Sequence, residues 1–182
     1  MKGIIFNAFE QFVIDSWGED FLDDVLDRCS LQTQEPFVGP GTYPDEDLLE
    51  IVAHTVKALD VPLPQALRAF GRYAFPALAS AFPVCVRPHA GARSFLRSVD
   101  DVIHVEVRKL HPDASTPAFR YRDDGDALVI EYHSQRSLCH LMEGLIDGVA
   151  DHFGESIAQR QTRCTADGAP HCEFRLEFAT TS

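Results

Sequence analysis

The spacing of the apolar residues changes near Pro117, and this change constrains the fold more than any other feature of the 182-residue sequence. Before Pro117, apolar residues recur every three or four positions, which is typical of helices that pack by one face. After it, two strand-like stretches flank the turn-like residues 123–126, and two more follow a further helical stretch. We therefore predict an α+β fold, in which a helical N-terminal part precedes an antiparallel sheet with packed helices.

The same patterns predict the individual elements. Pro76 lies inside the fourth predicted helix and should kink or split it. The length fits a single domain over residues 1–182, with a helical subregion of about residues 1–60 and a second subregion of about residues 61–182. The predicted helices cover residues 1–17, 19–29, 44–59, 65–82, 99–110 and 138–153, the strands cover 118–122, 127–133, 157–165 and 172–178, and loops or turns cover 34–43, 82–91 and 111–117.

The chain is acidic, with 28 Asp and Glu residues against 16 Lys and Arg residues and a formal net charge of −12. This balance argues against a nucleic-acid partner, because phosphate backbones attract basic clusters. No apolar run approaches the roughly 18 residues of a membrane span. The first residues lack the long apolar region of a signal peptide, and an odd number of cysteines points to a reducing compartment. We therefore expect a cytoplasmic protein.

A histidine and a polar triad form the main candidate site. His104 lies inside an amphipathic helical pattern, and about thirty residues later come Tyr132, Ser134 and Arg136, spaced by two. In an extended segment these three side chains point to one face and suit carboxylates, which Arg136 can grip as a fork. Haem has both a centre that seeks imidazole and carboxylate arms. The alternatives are a buried helix histidine and an ordinary strand with a solvated polar face.

The residues Val99–His104, the spacing Tyr132-x-Ser134-x-Arg136 and the opening Met1-Lys2-Gly3 resemble the H-NOX family of haem–nitric oxide/oxygen binding domains. This sensory domain also occurs in soluble guanylate cyclase, and the resemblance covers essentially the whole chain. It implies that haem b lies between the helical part and the sheet, with His104 on the iron and the triad on the propionates. By the same resemblance, Pro117 contacts the porphyrin and Ile5 packs on the distal side.

The resemblance also bears on which gas would bind. Oxygen-binding members carry a tyrosine nine residues after the tyrosine of the triad, and Leu141 stands at that position here. The neighbouring positions, Phe9 and Ala74, also lack a hydrogen-bond donor. Bound oxygen is stabilised by such a donor, whereas nitric oxide needs none. The resemblance therefore implies a sensor that binds nitric oxide (and CO) and excludes oxygen.

The resemblance implies that nitric oxide breaks the bond between the haem iron and His104, and that the helix carrying this residue then shifts. This shift would regulate a separate signalling protein, such as a histidine kinase or a cyclic-di-GMP enzyme. The sequence holds no Gly-rich phosphate loop and no nucleophile motif, so we do not predict an enzyme.

Three cysteines form a second candidate site. Cys164 and Cys172 bracket the last predicted hairpin, which can fold them towards Cys139. Three thiolates and one further ligand suit structural zinc, although small buried cysteines are the plain alternative. Thiolates of this kind can also be oxidised and release zinc. Cys29 and Cys85 are expected to be ordinary core residues.

Some bacterial H-NOX proteins carry a zinc site of three cysteines and a histidine in this region, by the same resemblance. The expected histidine is Gln161 here, which leaves the fourth ligand open. His171 and His140 are candidates, although each is adjacent to a cysteine and would point elsewhere in regular structure.

A haem-free regulatory domain is the rival hypothesis. The C-terminal hairpin also resembles small effector-binding domains that use such a turn to hold zinc. On this interpretation the cavity binds an organic acid, and Tyr132 and Arg136 grip its carboxylate.

Overall fold

The fold combines eight α-helices and four β-strands among residues 1–110 and 115–179, which are the residues that the computed structural model describes, apart from the side chains of Glu106 and Leu110. Most of the turn predicted at 111–117 lies outside this range. The helices are α1 (Gly3–Trp17), α2 (Glu19–Leu26), α3 (Asp45–Leu59), α4 (Leu63–Ala81), α5 (Pro83–Val86), α6 (Ala92–Ser98), α7 (His104–Leu110) and α8 (Cys139–Phe153). No helix in this part of the chain is both long and apolar enough to cross a bilayer.

A single antiparallel sheet follows the first seven helices. Its strands are β1 (Ala118–Asp124), β2 (Ala127–His133), β3 (Ile157–Arg163) and β4 (Cys172–Phe178), in the spatial order β1-β2-β4-β3. Gly125 closes the β1–β2 hairpin with a φ of 61°, a conformation that glycine adopts without strain. The α+β prediction is confirmed, and so are both limits of β2 and β4.

Three features of the helical part differ from the prediction. Pro76 lies inside α4, which nevertheless runs as one helix, because buried residues on both sides of the proline, Phe75 before it and Ala79 after it, are packed in the core. Helix α6 was not predicted, since seven residues are too few for a helical period to emerge. A π-helical turn, Val99–Ile103, joins α6 to α7, so the predicted 99–110 helix contains an irregular first half.

The buried apolar side chains form two clusters. One lies among α1 to α4 and includes Phe6, Phe12 and Phe70. The other lies between the sheet and helices α6 and α8 and includes Phe174 and Ile146. Helix α4 contributes to both clusters, so it joins the helical part to the sheet part.

Helices α4 and α8 approach each other closely because glycines face the contact. A Cβ atom added to Gly144 would lie 2.0 Å from the carbonyl oxygen of Arg68, and one added to Gly71 would lie 2.4 Å from that of Leu141. At the edge of the contact, the guanidinium of Arg68 binds the carboxylate of Asp147 with an Nε–Oδ2 distance of 2.7 Å. The two helices therefore pack backbone against backbone.

Candidate functional site

A cavity of about 580 Å³ lies between the two apolar clusters. Its volume falls in the range of roughly 300–1,000 Å³ that is usual for ligand and cofactor sites. Most of its lining is apolar, with side chains from both clusters such as Phe75, Leu138 and Ile146. All of the residues that the sequence predicted for cofactor binding line this one cavity, namely Ile5, His104, Pro117, Tyr132, Ser134, Arg136 and Leu141.

His104 is the first residue of α7 and follows the π-helical turn directly. Its Nδ1 lies 3.4 Å from Oδ1 of Asp100, one helical turn earlier, and its ring stacks on Phe119 at a centroid distance of 5.4 Å. Burial lowers the pKa of His104 below its ordinary value of 6.5, and the nearby Asp100 carboxylate offsets this only in part. The imidazole is therefore neutral at pH 7, and with Nδ1 turned to a carboxylate, Nε2 is the atom that can ligate a metal.

The polar triad reaches the cavity by a route that the sequence did not predict. Tyr132 is buried and belongs to β2, but the strand ends at His133, so Ser134 and Arg136 do not continue it. Instead the chain turns, with the Arg136 N–H donating to Oγ of Ser134 at 3.2 Å and Ser137 in a left-handed conformation at a φ of 52°. The expectation of one extended segment was therefore wrong, although the three side chains do line the same cavity.

The guanidinium of Arg136 is held by groups from two distant segments. Its Nε and Nη2 donate to the carboxylate of Asp45, with an Nη2–Oδ1 distance of 3.2 Å, and its Nη1 donates to the carbonyl oxygen of Ser115 at 2.7 Å. Asp45, at the start of α3, also lies 2.7 Å from the N-terminal ammonium of Met1. Burial raises the pKa of the Asp45 carboxyl, but Arg136 and the ammonium together outweigh it and hold that pKa below the ordinary 3.8.

Sequence reasoning missed the role of Asp45. The acidic residues that begin α3 are explained well by the helix dipole alone, so no signal marked one of them for a distant partner. Asp45 and Arg136 are 91 residues apart, and only the fold brings them together.

The apolar positions of the predicted site divide into two groups. Ile5, Pro117 and Leu141 line the cavity, as expected. Phe9 and Ala74 are buried in the N-terminal cluster and are not among the residues that line the cavity. The resemblance places both beside the bound ligand, and that placement stays a prediction.

The three cysteines of the second candidate site converge. The sulfur atoms of Cys139, Cys164 and Cys172 all lie within 4.8 Å of one another, and the distance from Cys139 to Cys164 is 3.9 Å. Burial, more than any neighbouring group, raises the pKa of the Cys139 thiol to about 12, and a hydrogen bond from Gln161 opposes this. Gln161 therefore lies beside the thiols, at the position where the resemblance led us to expect a histidine.

Neither histidine proposed as a fourth ligand joins the three thiols. Nδ1 of His140 lies 2.8 Å from the carboxylate of Glu143 instead. The ring of His171 faces His133, at a centroid distance of 4.7 Å, on the other side of the sheet from Cys172. His171 precedes Cys172 in extended chain, where adjacent residues point to opposite faces. His140 follows Cys139 on helix α8, where adjacent side chains are turned by about 100° around the helix axis.

Comparison with known proteins finds one family. The sequence model described as Haem-NO-binding matches residues 2–161. An H-NOX protein of S. oneidensis in the Fe(II)NO ligation state is 31% identical, covers 99% of this chain and 100% of its own, and superimposes with a TM-score of 0.93. The Fe(II) unliganded H-NOX protein of K. algicida is 26% identical, covers 100% of this chain and 98% of its own, and gives a TM-score of 0.91.

A solution structure of the S. oneidensis H-NOX domain in the Fe(II)CO ligation state is also similar. It is 31% identical, covers 99% of each chain and gives a TM-score of 0.90. The likeness therefore extends over the whole described structure, including the cavity and the sheet.

The Asp45 contact makes a pH-dependent contribution to stability. We expect Asp45→Asn to lower the free energy of unfolding at pH 7 by on the order of 1 kcal/mol, because Arg136 and the N-terminus lose a carboxylate partner. Because the folded pKa of Asp45 is depressed, this contribution is present above 3.8 and is lost as the pH falls through the folded pKa. Urea unfolding of both proteins across the acid range measures the difference.

Glu46→Gln is the matched control, since Glu46 is an exposed acid in the same helical turn. Glu46→Gln should lower the free energy of unfolding at pH 7 by less than Asp45→Asn does. A gap between wild type and Asp45→Asn that stays constant well below pH 3.8 would contradict the assignment.

Proposed function

The chain belongs to the Haem-NO-binding (H-NOX) family, and we propose that it is a haem-based nitric oxide sensor that excludes oxygen and regulates a signalling partner through release of His104. The observation that carries this proposal is the cavity itself. A neutral imidazole and a carboxylate-binding group line the same mainly apolar space. The residues present therefore fit haem, which needs an axial nitrogen, apolar walls and partners for two propionates.

Each residue of the cavity has a distinct part in holding haem b. His104 would ligate the iron, and Tyr132, Ser134 and Arg136 would bind the propionates. Pro117 and Ile5 would pack against the ring. When bound, the haem supplies a ferrous iron with one open position for a diatomic gas such as nitric oxide or CO. The S. oneidensis relatives were studied with both of these gases, which supports the assignment.

The proposed preference for nitric oxide over oxygen rests on Leu141, whose side chain offers no hydrogen-bond donor. A pocket that retains oxygen needs a hydroxyl nearby, because oxygen gathers negative charge when it binds, whereas nitric oxide has no such requirement. Leu141 is apolar, and of the four tyrosines in the chain, all of them described, Tyr132 lines the cavity and the other three do not. We assign Tyr132 to a propionate.

The segment that carries His104 would transmit the binding of the gas to the partner protein. This residue lies at the junction between the π-helical turn and α7. A π-helical turn has irregular hydrogen bonding, so a shift of α7 need not break a regular helix. If the haem iron released His104, α7 would be free to change its position against the sheet, and a ligand could then favour one of two states. A histidine kinase or a cyclic-di-GMP enzyme would read the change.

The whole chain would act as one sensor domain in the cytoplasm, with a helical subregion of about residues 1–60. We propose no catalytic role for it. The family match and the structural relatives favour haem over the haem-free alternative, in which Tyr132 and Arg136 would bind an organic acid.

We also propose that the three cysteines bind one zinc ion. Their sulfur atoms are already close enough to share a metal, and three thiolates are common ligands of structural zinc. The fourth ligand would be water or the side-chain oxygen of Gln161. Zinc binding would require Cys139 to lose its proton.

Loss of the axial ligand tests the principal proposal. We expect His104→Gly to reduce the haem content of the purified protein at least severalfold and to abolish its spectral response to nitric oxide. Imidazole added to the growth medium should restore the haem. His54→Gly is the control, because it places glycine in a helix at the same cost of about 1 kcal/mol but outside the cavity. Full haem content and an unchanged response without imidazole would refute the assignment of His104.

A hydroxyl placed at position 141 tests the gas preference. We expect Leu141→Tyr to bind oxygen roughly 10- to 100-fold more tightly, because a hydrogen bond to a charged group contributes about 1.5–3 kcal/mol. Leu141→Phe supplies the same ring without the hydroxyl and should resemble wild type. Absorption spectra of the reduced proteins in air measure the effect. A stable oxygen complex in the wild type would disprove exclusion.

Metal analysis tests the zinc proposal. We expect Cys164→Ser to hold about one zinc ion per chain fewer than the wild type, because two thiolates hold zinc weakly. Peroxide should release the zinc as the thiolates are oxidised. Cys85→Ser changes a cysteine outside the cluster and should keep the zinc. Equal zinc content in all three proteins would rule out this site.

A further inference from the structure

A second group of metal-binding side chains lies on the outer face of the sheet. It consists of Glu131 and His133 of β2 and His171, the residue before β4, and we call it the outer-face cluster. The last pair in the β2–β4 register is Tyr132 with Cys172, so His133 lies opposite His171 one step further on. Tyr132 and Cys172 point into the buried side of the sheet, and their neighbours therefore point to the other side.

The three side chains are within reach of one another. One possible ligand atom from each lies within 4.8 Å of the others. Nε2 of His133 is 3.3 Å from a carboxylate oxygen of Glu131, close to the edge of about 3.4 Å in a tetrahedron with metal–ligand bonds of about 2.1 Å. The two imidazole rings lie 4.7 Å apart, between centroids, and their planes meet at 34°.

The hydrogen bonds of the protein account for two of these residues but not for the third. His133 and Glu131 bind each other. Nε2 of His171 is shielded from solvent and has no hydrogen-bond partner among the described residues. A desolvated ring nitrogen without a partner is unfavourable and calls for a ligand.

We propose that the outer-face cluster binds a divalent transition-metal ion of the zinc type. Imidazole nitrogen is a good ligand for zinc, nickel and copper, whereas calcium and magnesium require several oxygen ligands and find one carboxylate here. Three protein ligands leave a fourth position for water or a group from another molecule. The site is independent of haem and of the three cysteines, because His171 and Cys172 face opposite sides of the sheet.

A metal at this place would fix the chain where it leaves the sheet for the cavity. His133 stands between Tyr132 and Ser134, both of which line the cavity. Binding His133 to His171 through a metal therefore joins the end of β2 to the start of β4. The strand end that presents the polar triad would then be held from the outside.

Metal counting on the haem-loaded, full-length protein tests the proposal. The protein is stripped of metal with a chelator, equilibrated with Zn²⁺, passed through a desalting column and analysed for bound zinc. We expect His133→Asn and His171→Asn each to bind one fewer Zn²⁺ per chain than wild type, whatever number the cysteines hold. His152→Asn removes an exposed imidazole that belongs to no such cluster among the described residues, and it should keep the wild-type number. A wild-type zinc count in His171→Asn would overturn the proposal.

A measurement on unaltered protein covers the case in which these variants fail to fold. The wild-type protein is first given one equivalent of Zn²⁺ to fill the cysteine site. Less than one equivalent of paramagnetic Ni²⁺ is then added, and it should broaden the imidazole signals of His133 and His171. The signal of His152 should stay sharp. If Ni²⁺ leaves both cluster histidines unaffected, no metal site exists there.

Discussion

The carboxylate of Asp45 is the contact on which the polar end of the cavity depends. It forms an ion pair with the N-terminal ammonium of Met1 and accepts hydrogen bonds from two nitrogens of the Arg136 guanidinium. Three segments that are far apart in sequence thus meet at one side chain. The remaining Arg136 nitrogen donates to Ser115, so the guanidinium is oriented before any ligand arrives. A guanidinium held in this way loses little conformational freedom when it binds a further carboxylate.

His104, at the other end of the cavity, is neutral, and an imidazole must be uncharged to ligate a metal. Burial supplies this condition, and the Asp100 contact sets the orientation of the ring without restoring the positive charge. The stacking on Phe119 ties the imidazole to β1 of the sheet. The cavity therefore joins a charged, fixed end to a neutral end that lies on an irregular helical segment.

Local sequence pattern predicted what depends on local chemistry. The α+β order, the limits of β2 and β4, and the convergence of His104 with the triad all followed from periodicity and from the family resemblance. The turn at Ser134 and the pairing of Asp45 with Arg136 did not, because both depend on contacts between distant segments. Helix α6 was too short to be recognised, because seven residues hold only about two turns of the helical period.

The glycines between α4 and α8 bear on how a sensor of this architecture can diversify. Gly71 and Gly144 leave no room for a side chain, so these positions accept no replacement without separating the two helices. Leu141, one turn before Gly144 on the same helix, projects into the cavity and is under no such restriction. A side chain at Gly71 or Gly144 would therefore move the two helices apart, whereas a replacement at Leu141 can change the cavity lining and leave the backbone in place.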